Sequence, residues 1–279
     1  MKLRFFDAHN HLQDEQLAPD LKDILVSLPG AGVVRMVVNG SCEEDWPQVL
    51  ELARGVPQVL PSFGYHPWHV AERTANWREN LVKFLDATPS AIGEIGLDKW
   101  IKDSDFAAQE EVFVWQLRLA AARNLPVSIH CLQAWGKLLE HLQTNPLPRC
   151  GFVLHSFGGP RELIEPLAKL GAYFSLPGYF AHERKDRQRE TFKHVPRERL
   201  LIETDAPDQS LPEDRVEFPL PDSPNGKPVN HPANLGAVYR FAAELIGEPV
   251  GALTEQVEKN FHKLFGSHGV KPQSPANER

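Results

Sequence analysis

Residues 126–155 read PVSIHCLQAWGKLLEHLQTNPLPRCGFVLH, where two short apolar runs that each end in histidine flank a segment with helical periodicity. The first run, 127–129, leads to His130, and the second, 152–154, leads to His155. Between them, residues 135–142 repeat apolar side chains at the spacing of one helix face. A buried strand, a helix and a second buried strand are typical of the βαβ unit of a parallel sheet.

The same alternation recurs along the whole chain. It predicts eight strands, at residues 3–7, 33–38, 59–63, 91–95, 127–129, 152–154, 172–176 and 200–203. Helical patterns occur at residues 106–124, 135–142, 162–170, 184–192, 233–246 and 255–264. Eight apolar strands alternating with helices predict an α/β fold, a closed (β/α)8 TIM barrel. A doubly wound open sheet is the alternative, but its glycine-rich phosphate-binding fingerprint is missing.

The barrel accounts for nearly all of the chain. We expect one domain over residues 1–266, followed by a polar C-terminal tail at 267–279. Residues 207–232 interrupt the pattern with a proline-rich segment that follows the last predicted strand. Two interpretations stay open for this segment: a stiff surface excursion, or a lid beside the face where barrel chemistry occurs.

Composition excludes several classes of protein. Among 279 residues, 42% are hydrophobic and 24% are charged, which is typical of a globular protein. Mean hydropathy is −0.36, and no stretch approaches the roughly 18 apolar residues of a membrane span.

Asp7 interrupts the first apolar run too early for a signal peptide. Three dispersed cysteines, Cys42, Cys131 and Cys150, form neither a disulfide framework nor a zinc-binding pair, so we expect a cytoplasmic protein.

The charge balance limits how the chain could meet nucleic acid. The 30 lysines and arginines against 37 acidic residues give a formal net charge of −7. Such a surface is unsuited to coating nucleic acid. A nucleic-acid substrate held at one local site stays compatible with this charge.

Ionisable side chains stand at or near the C-terminal ends of five predicted strands. His9 and His11 are two residues apart, so an extended backbone points both to the same side. Glu94 lies in an otherwise apolar strand, where a buried carboxylate is costly unless it is paired or bound to metal. Taken singly, a strand-end histidine is also typical of a hydrogen-bonded structural residue. Together, four imidazoles and two carboxylates suit two divalent cations that share a carboxylate. The six residues are His9, His11, Glu94, His130, His155 and Asp205.

With these motifs in view, the chain resembles the TatD family of metal-dependent deoxyribonucleases, within the amidohydrolase-type barrels. The resemblance runs from residue 6 to residue 266. Its motifs are FDAHNHL at 6–12, GEIGLD at 93–98, PVSIH at 126–130, LHSFGG at 154–159, ETDAP at 203–207 and NFHKLF at 260–265. Each motif is weak alone, but their order at successive strand ends is specific.

The resemblance implies two divalent metal ions as cofactors, drawn from Zn, Mn, Mg, Co, Ni or Fe. It assigns ligands to each: His9, His11 and Asp205 to the first ion, His130 and His155 to the second, and Glu94 as the bridge between them. Other barrels of this superfamily usually bridge with a carboxylated lysine. The equivalent strand here carries Glu94 and no lysine.

The expected activity is that of a nuclease, a deoxyribonuclease or exonuclease that hydrolyses phosphodiester bonds with a metal-activated water. Catalysis is expected from Asp205, which would orient the water and take its proton, together with Glu94. Single-stranded DNA is the expected substrate, with no membrane and no obligate protein partner. The alternative is a metal-dependent esterase or amidohydrolase, such as a D-aminoacyl-tRNA deacylase-like enzyme. A non-enzymatic metal-binding scaffold is a further alternative.

Substrate-facing positions depart from the family pattern. Such chains often carry His-Pro-His after the third strand, whereas this chain reads His66-Pro67-Trp68-His69. We expect His66 either to contact a substrate phosphate or to cap its loop. Trp68, like Trp100 and Phe157, would either stack on unpaired bases or pack within its loop.

A basic segment follows the seventh predicted strand. Residues 182–199 carry seven lysines and arginines, among them Arg184 and Lys185. These two side chains are candidates for guiding a phosphate backbone towards the site. A solvated helix face is the competing interpretation.

Overall fold

Eight parallel strands form one sheet whose spatial order follows the chain, in a computed structural model that describes residues 3–102 and 104–266. The last strand packs beside the first, so the sheet closes into a barrel. The predicted (β/α)8 architecture is confirmed. The strands are β1 (Phe5–Asn10), β2 (Val33–Asn39), β3 (Val59–Phe63), β4 (Ala91–Asp98), β5 (Val127–Leu132), β6 (Phe152–Leu154), β7 (Ala172–Pro177) and β8 (Leu200–Glu203).

Helices follow each strand and cover the outside of the barrel. Their bounds are α1 (Leu21–Gly30), α2 (Trp46–Gly55), α3 (Trp77–Ala87), α4 (Phe106–Arg123), α5 (Trp135–Thr144), α6 (Ile164–Lys169), α7 (Asp186–Phe192), α8 (Leu235–Ile246) and α9 (Val250–Phe265). None of the described helices is both long enough and apolar enough to cross a membrane.

Three strands run three residues further towards their C-terminal ends than predicted. β1 continues to Asn10 rather than 7, β4 to Asp98 rather than 95, and β5 to Leu132 rather than 129. The prediction ended these strands near their first polar residue or glycine. In the barrel the backbone keeps pairing beyond those residues, because their side chains belong to the barrel mouth rather than to a solvent-exposed turn.

Helices α1, α2 and α3 occupy segments outside the predicted helices, and α9 begins at Val250 rather than 255. Prolines obscure two of these segments. Pro47 lies in the first turn of α2, where the missing N–H costs nothing, and Pro29 lies near the end of α1. Such positions interrupt an apolar periodicity without ending the helix.

Glycines bring β4 close to its neighbours. A Cβ at Gly96 would lie 2.0 Å from the carbonyl oxygen of His130 on β5, and one at Gly93 would lie 2.8 Å from the Cβ of Ser128. No side chain fits at either position without moving the backbone. These two glycines therefore set the spacing between β4 and β5, from which Glu94 and His130 face each other.

Helix α4 holds two strand ends through buried glutamines. The Gln109 side chain accepts a hydrogen bond from the backbone N–H of Asp98 (2.8 Å) and donates to its carbonyl oxygen (3.1 Å). Gln116 makes the same pair with the backbone of Tyr65, at 2.7 and 3.2 Å. Each side-chain amide makes the two hydrogen bonds that a neighbouring strand would otherwise make to this backbone. The chain just after β3 and at the end of β4 is therefore held against α4.

The β1–β8 seam is closed by side chains as well as backbone. Near the mouth, His11 N–H donates to Ala206 O (2.7 Å) and Asp205 N–H to His9 O (3.0 Å). Deeper in the barrel, the buried Tyr239 hydroxyl of α8 accepts from Phe6 N–H (3.0 Å) and donates to Phe6 O (2.9 Å). That hydroxyl takes the place of a strand partner for Phe6.

The proline-rich segment is an excursion whose ends lie together. Asn230 N–H donates to Pro207 O (2.7 Å), and a short 3-10 turn spans Glu213–Arg215 between them. Closure over the mouth as a lid stays a prediction. We retain one domain over residues 1–266 as our interpretation, and the predicted tail at 267–279 lies outside the described residues.

We expect Tyr239→Phe to lower the free energy of unfolding by about 1–3 kcal/mol, because it leaves the buried backbone groups of Phe6 without a partner. Urea denaturation of the two proteins measures this. Tyr179→Phe is the matched control, since that hydroxyl accepts only from the exposed Arg184 (2.8 Å). Equal midpoints for Tyr239→Phe and wild type would contradict a role in closing the seam.

Candidate metal centre

One carboxylate lies at the centre of the barrel mouth. Glu94 is 3% exposed, and ring nitrogens of five histidines approach its two oxygens. The distances are 3.2 Å from His9 Nε2, 3.1 Å from His11 Nε2, 3.2 Å from His66 Nε2, 3.1 Å from His130 Nδ1 and 2.8 Å from His155 Nε2. The predicted strand-end residues His9, His11, His130 and His155 therefore meet around Glu94, and His66 joins them.

Burial and mutual attraction oppose each other in this cluster. Burial would raise the pKa of Glu94, but the surrounding imidazoles, His155 foremost, hold that pKa well below its usual range. Burial likewise works against a charged His155, yet the Glu94 carboxylate raises the His155 pKa well above normal. Burial lowers the pKa of His9 to about 4. Glu94 is thus ionised, and protonated imidazoles such as His155 balance its negative charge.

The outer ring nitrogens of His11 and His130 are held by groups that can only accept. His11 Nδ1 donates to the carbonyl oxygen of Asn39 (2.8 Å), and His130 Nε2 donates to Asp98 Oδ2 (3.1 Å). In the neutral imidazole, the other nitrogen then carries a lone pair facing Glu94. This arrangement is how proteins orient histidines that bind a metal ion.

Two further imidazoles have polar groups at their outer nitrogens. His9 Nδ1 lies 2.7 Å from Ser128 Oγ, and His155 Nδ1 lies 3.8 Å from Glu203 Oε1. Glu203 is itself fixed, because it accepts from the backbone N–H of Ser156 (2.7 Å) and from the Ser175 hydroxyl. The inner nitrogens of these two rings also point at Glu94.

The outer ring nitrogen of His66 accepts a hydrogen bond, whereas those of His11 and His130 donate one. Its Nδ1 accepts from the backbone N–H of Trp68 (3.2 Å), so in the neutral ring the proton lies on Nε2. Burial lowers the His66 pKa to about 4, which keeps the ring neutral. His66 Nε2 therefore donates to Glu94 instead of offering a lone pair. The predicted loop-capping hydrogen bond is present in the structure, and the same ring also reaches the centre.

Asp205 approaches the cluster from the end of β8. Its backbone adopts a left-handed conformation (φ 53°), and its Oδ1 lies 3.5 Å from His9 Nε2 and 3.8 Å from His11 Nε2. Gln209 donates to the other oxygen (2.6 Å). Burial, assisted by Glu203 and Glu94, raises the pKa of Asp205 to about 7. A carboxylate with this pKa can exchange a proton near neutral pH.

The donor set fits divalent cations. Within the described residues, three buried groups place one ligand atom of each member within 4.8 Å of the others: His9–His11–Asp205, His9–Glu94–His155 and His66–Glu94–His130. Imidazole with carboxylate is the ligand combination of Zn, Mn, Co, Ni and Fe sites. The third group matches by distance, but the Nε2 proton of neutral His66 leaves that nitrogen unable to bind a metal.

Sequence reasoning gave no role to several residues that orient this cluster, including Asp98, Glu203 and Gln209. Asp98 ends the GEIGLD motif and Glu203 begins ETDAP, so their positions beside ligands were visible. Ser128 precedes His130 by two residues, which an extended strand places on the same side. Gln209 reaches Asp205 only through the turn that follows β8, which carries no such signal.

The remaining predicted substrate residues lie around the rim. Trp68 is exposed, and its indole N–H donates to Asp98 Oδ2 (2.7 Å). Arg184 and Lys185 pack over the ring of Tyr179, at 5.1 and 4.5 Å from its centre, and the structure does not bring them to the Glu94 cluster. Phe157 is fully buried. Base stacking by Phe157 is therefore wrong, because its ring packs against Trp135 and Phe174 in the protein interior.

Known proteins share both the sequence and the fold. The model of the family described as TatD related DNase matches residues 6–266. The 3'-5' ssDNA/RNA exonuclease TatD of Escherichia coli is 35% identical over 266 residues, which cover 94% of this chain and 98% of that protein. The metal-dependent hydrolase YjjV of the same species is 31% identical over 268 residues, covering 95% and 99%. The crystal structure of YjjV matches with a TM-score of 0.84 at 30% identity, again covering 95% of this chain and 99% of that one.

We expect Asp98→Ala to weaken metal retention or turnover by about 10- to 100-fold, since His130 loses the acceptor that fixes its tautomer. Elemental analysis after dialysis against graded chelator, together with kcat, measures the effect. Asp86→Ala is the control, because Asp86 is exposed and pairs only with Arg123 (2.6 Å). Metal retention and kcat equal to wild type would show that Asp98 does not orient His130.

Proposed function

Because this chain belongs to the TatD-related DNase family, we propose that it hydrolyses phosphodiester bonds in single-stranded nucleic acid, with DNA as the expected substrate. It is a metal-dependent hydrolase of that family, and the resemblance predicted from its motifs is confirmed. The observation that carries the proposal is the ionised Glu94 at the barrel mouth. Imidazoles from the ends of β1 and β5 and from the segments after β3 and β6 face it. The cytoplasmic location stays a prediction.

We assign the metal ligands as the motifs predict. His9, His11 and Asp205 would hold one divalent ion, His130 and His155 a second, and Glu94 would bridge them. Bound ions would lower the pKa of a coordinated water towards neutrality and polarise the phosphoryl oxygens. The fixed outer nitrogens of His11 and His130 support this assignment, because they direct lone pairs inward. The predicted count of two ions and their identity belong to the proposal.

Asp205 is suited to accept the proton of the attacking water. Its Oδ1 lies 3.5 Å from His9 Nε2, so this carboxylate reaches the place where the attacking water would be held. Gln209 fixes one carboxylate oxygen and leaves the other facing the centre. Water oxygen then bonds to phosphorus, the bond from phosphorus to the leaving oxygen breaks, and that oxygen takes a proton from solvent.

His66 is suited to bind the substrate phosphate. Its Nε2–H reaches Glu94 Oε1 at 3.2 Å, so it is a neutral donor directed into the centre. Trp68, at the rim beside it, and Arg184 and Lys185, beyond β7, stay predicted substrate contacts. Two dications would offset the negative charges of Glu94 and Asp205 together with those of the neighbouring carboxylates Asp98 and Glu203. The centre would then not repel an anionic substrate in spite of the net charge of −7.

We expect the protein with divalent metal to cleave a labelled single strand of DNA faster than it cleaves an aminoacyl ester. Chelator should abolish cleavage, and added divalent metal should restore it. Parallel assays of the two substrates, with metal content measured on protein purified without added metal, provide the test. Faster cleavage of the ester would favour the esterase alternative, and inertness towards both would favour a scaffold.

We expect Asp205→Asn to abolish turnover while the melting temperature shows an intact fold, since an amide cannot accept the water proton. Asp214→Asn, an exposed change in the loop after β8, should keep wild-type activity. Initial rates on the labelled strand measure both variants. Retention of more than about a tenth of wild-type turnover by Asp205→Asn would rule out its role as the base.

A further inference from the structure

Exposed apolar side chains occur at or just after the C-terminal ends of three adjacent strands. In the described part of the chain, four large hydrophobic residues are exposed: Val26 on α1, and Trp68, Trp100 and Leu132 at the barrel mouth. The exposed fractions at the mouth are 53% for Trp68, 65% for Trp100 and 38% for Leu132. These three follow or end the adjacent strands β3, β4 and β5, and we call them the rim patch.

The buried Asp98 carboxylate holds this patch in place. Trp68 Nε1–H donates to Oδ2 (2.7 Å), and the backbone N–H of Trp100 donates to Oδ1 (2.7 Å). The backbone N–H of Lys99 donates to the carbonyl oxygen of Leu132 (2.9 Å), which fixes the third member. The Trp68 indole and the Trp100 backbone are therefore both hydrogen-bonded to the end of β4.

The same carboxylate joins the patch to the catalytic cluster. Asp98 Oδ2 also accepts from His130 Nε2 (3.1 Å), whose other ring nitrogen faces Glu94. The ring centre of Trp68 lies 6.3 Å from that of His130 and 5.1 Å from that of His66. A group that contacts Trp68 thus lies next to the place where a substrate phosphate would be held.

The chemistry of the patch fits an unpaired base on a phosphate backbone. Aromatic rings stack on the faces of any base, and those faces are free only where the strand is single. Exposed cationic residues, Lys99 and Lys102, flank Trp100 in the chain and suit the neighbouring phosphates. The negative charge of Asp98 is paired with the His130 ring, whose Nε2 lies 3.1 Å from Asp98 Oδ2.

We propose that Trp68, Trp100 and Leu132 form a subsite that binds an unpaired nucleobase next to the phosphodiester being cut. This inference rests on the proposed function, and it extends that function by assigning base contacts to residues outside the metal centre. It predicts that part of the affinity for a strand comes from its bases and not from its phosphates alone.

Binding to metal-free protein tests the subsite without cleavage. In the presence of chelator, fluorescence anisotropy compares a labelled oligothymidine with an abasic oligomer of the same length and backbone. We expect wild type to bind oligothymidine at least about five-fold more tightly than the abasic strand, the lower end of the range for stacking one base on an aromatic ring. Trp100→Ala should bring the two affinities close together by weakening only the base-bearing strand.

Matched variants separate stacking from other effects. Trp100→Phe should restore the preference because it keeps an aromatic ring, and Val26→Ala should leave it unchanged because that exposed residue lies away from the mouth on α1. Leu132→Ser, whose side chain is also exposed, should reduce the preference. Thermal melting of each variant verifies that it is folded.

Equal affinity of wild type for the two strands would overturn the subsite, as would an unchanged preference in Trp100→Ala. A patch that pairs two copies of the chain would also overturn it, and sedimentation would then show a dimer that Trp100→Ala dissociates.

Cleavage is assayed separately with metal. If wild type cleaves both strands equally and binds them equally, the nuclease proposal stands and the subsite fails. If bases strengthen binding through Trp100 but no strand is cleaved, the subsite stands and the nuclease proposal fails.

Discussion

A carboxylate removed from water costs several kilocalories per mole unless nearby groups replace its hydration, and Glu94 lies in that situation at the centre of the barrel mouth. Five imidazole nitrogens lie 2.8–3.2 Å from its two oxygens, and the rings that carry a proton on that nitrogen replace part of the hydration. The five rings reach the carboxylate from four different strand ends and loops, since His9 and His11 share the end of β1. The register of β4 and β5, the glycines between them and the closure of β1 on β8 all serve to bring those rings to one point.

The outer nitrogen of each ring decides what the inner one can do. An accepting carbonyl or carboxylate at His11 and His130 leaves an inward lone pair when the ring is neutral, whereas the donating N–H of Trp68 gives neutral His66 an inward proton. Residues that look alike in the sequence therefore divide into candidate metal ligands and a hydrogen-bond donor. A single backbone hydrogen bond makes that difference. At the rim, Asp98 accepts hydrogen bonds from His130, from the Trp68 indole and from the Trp100 backbone.

Much of this arrangement was predictable from the sequence, because local pattern determines it. Eight apolar runs identify the strands, and strand-end residues such as Glu94 and His155 belong to one mouth once the fold is a barrel. Contacts that depend on register or on turn conformation were not predictable. Glu203 meets Ser175 only through the alignment of β7 with β8, and Gln209 meets Asp205 only through a left-handed turn. Phe157 follows a strand end like Trp68 does, yet it turns inward, since its ring fills a space between α5 and β7.

The seam between β1 and β8 limits when the barrel can close during synthesis on the ribosome. His9 and His11 are synthesised some two hundred residues before Asp205 and the Tyr239 hydroxyl that completes the seam. A nascent chain without β8 has an open barrel and lacks Asp205. The centre can therefore form only after β8 and α8 have been synthesised, so shorter nascent chains lack the complete set of groups that the proposed cleavage requires.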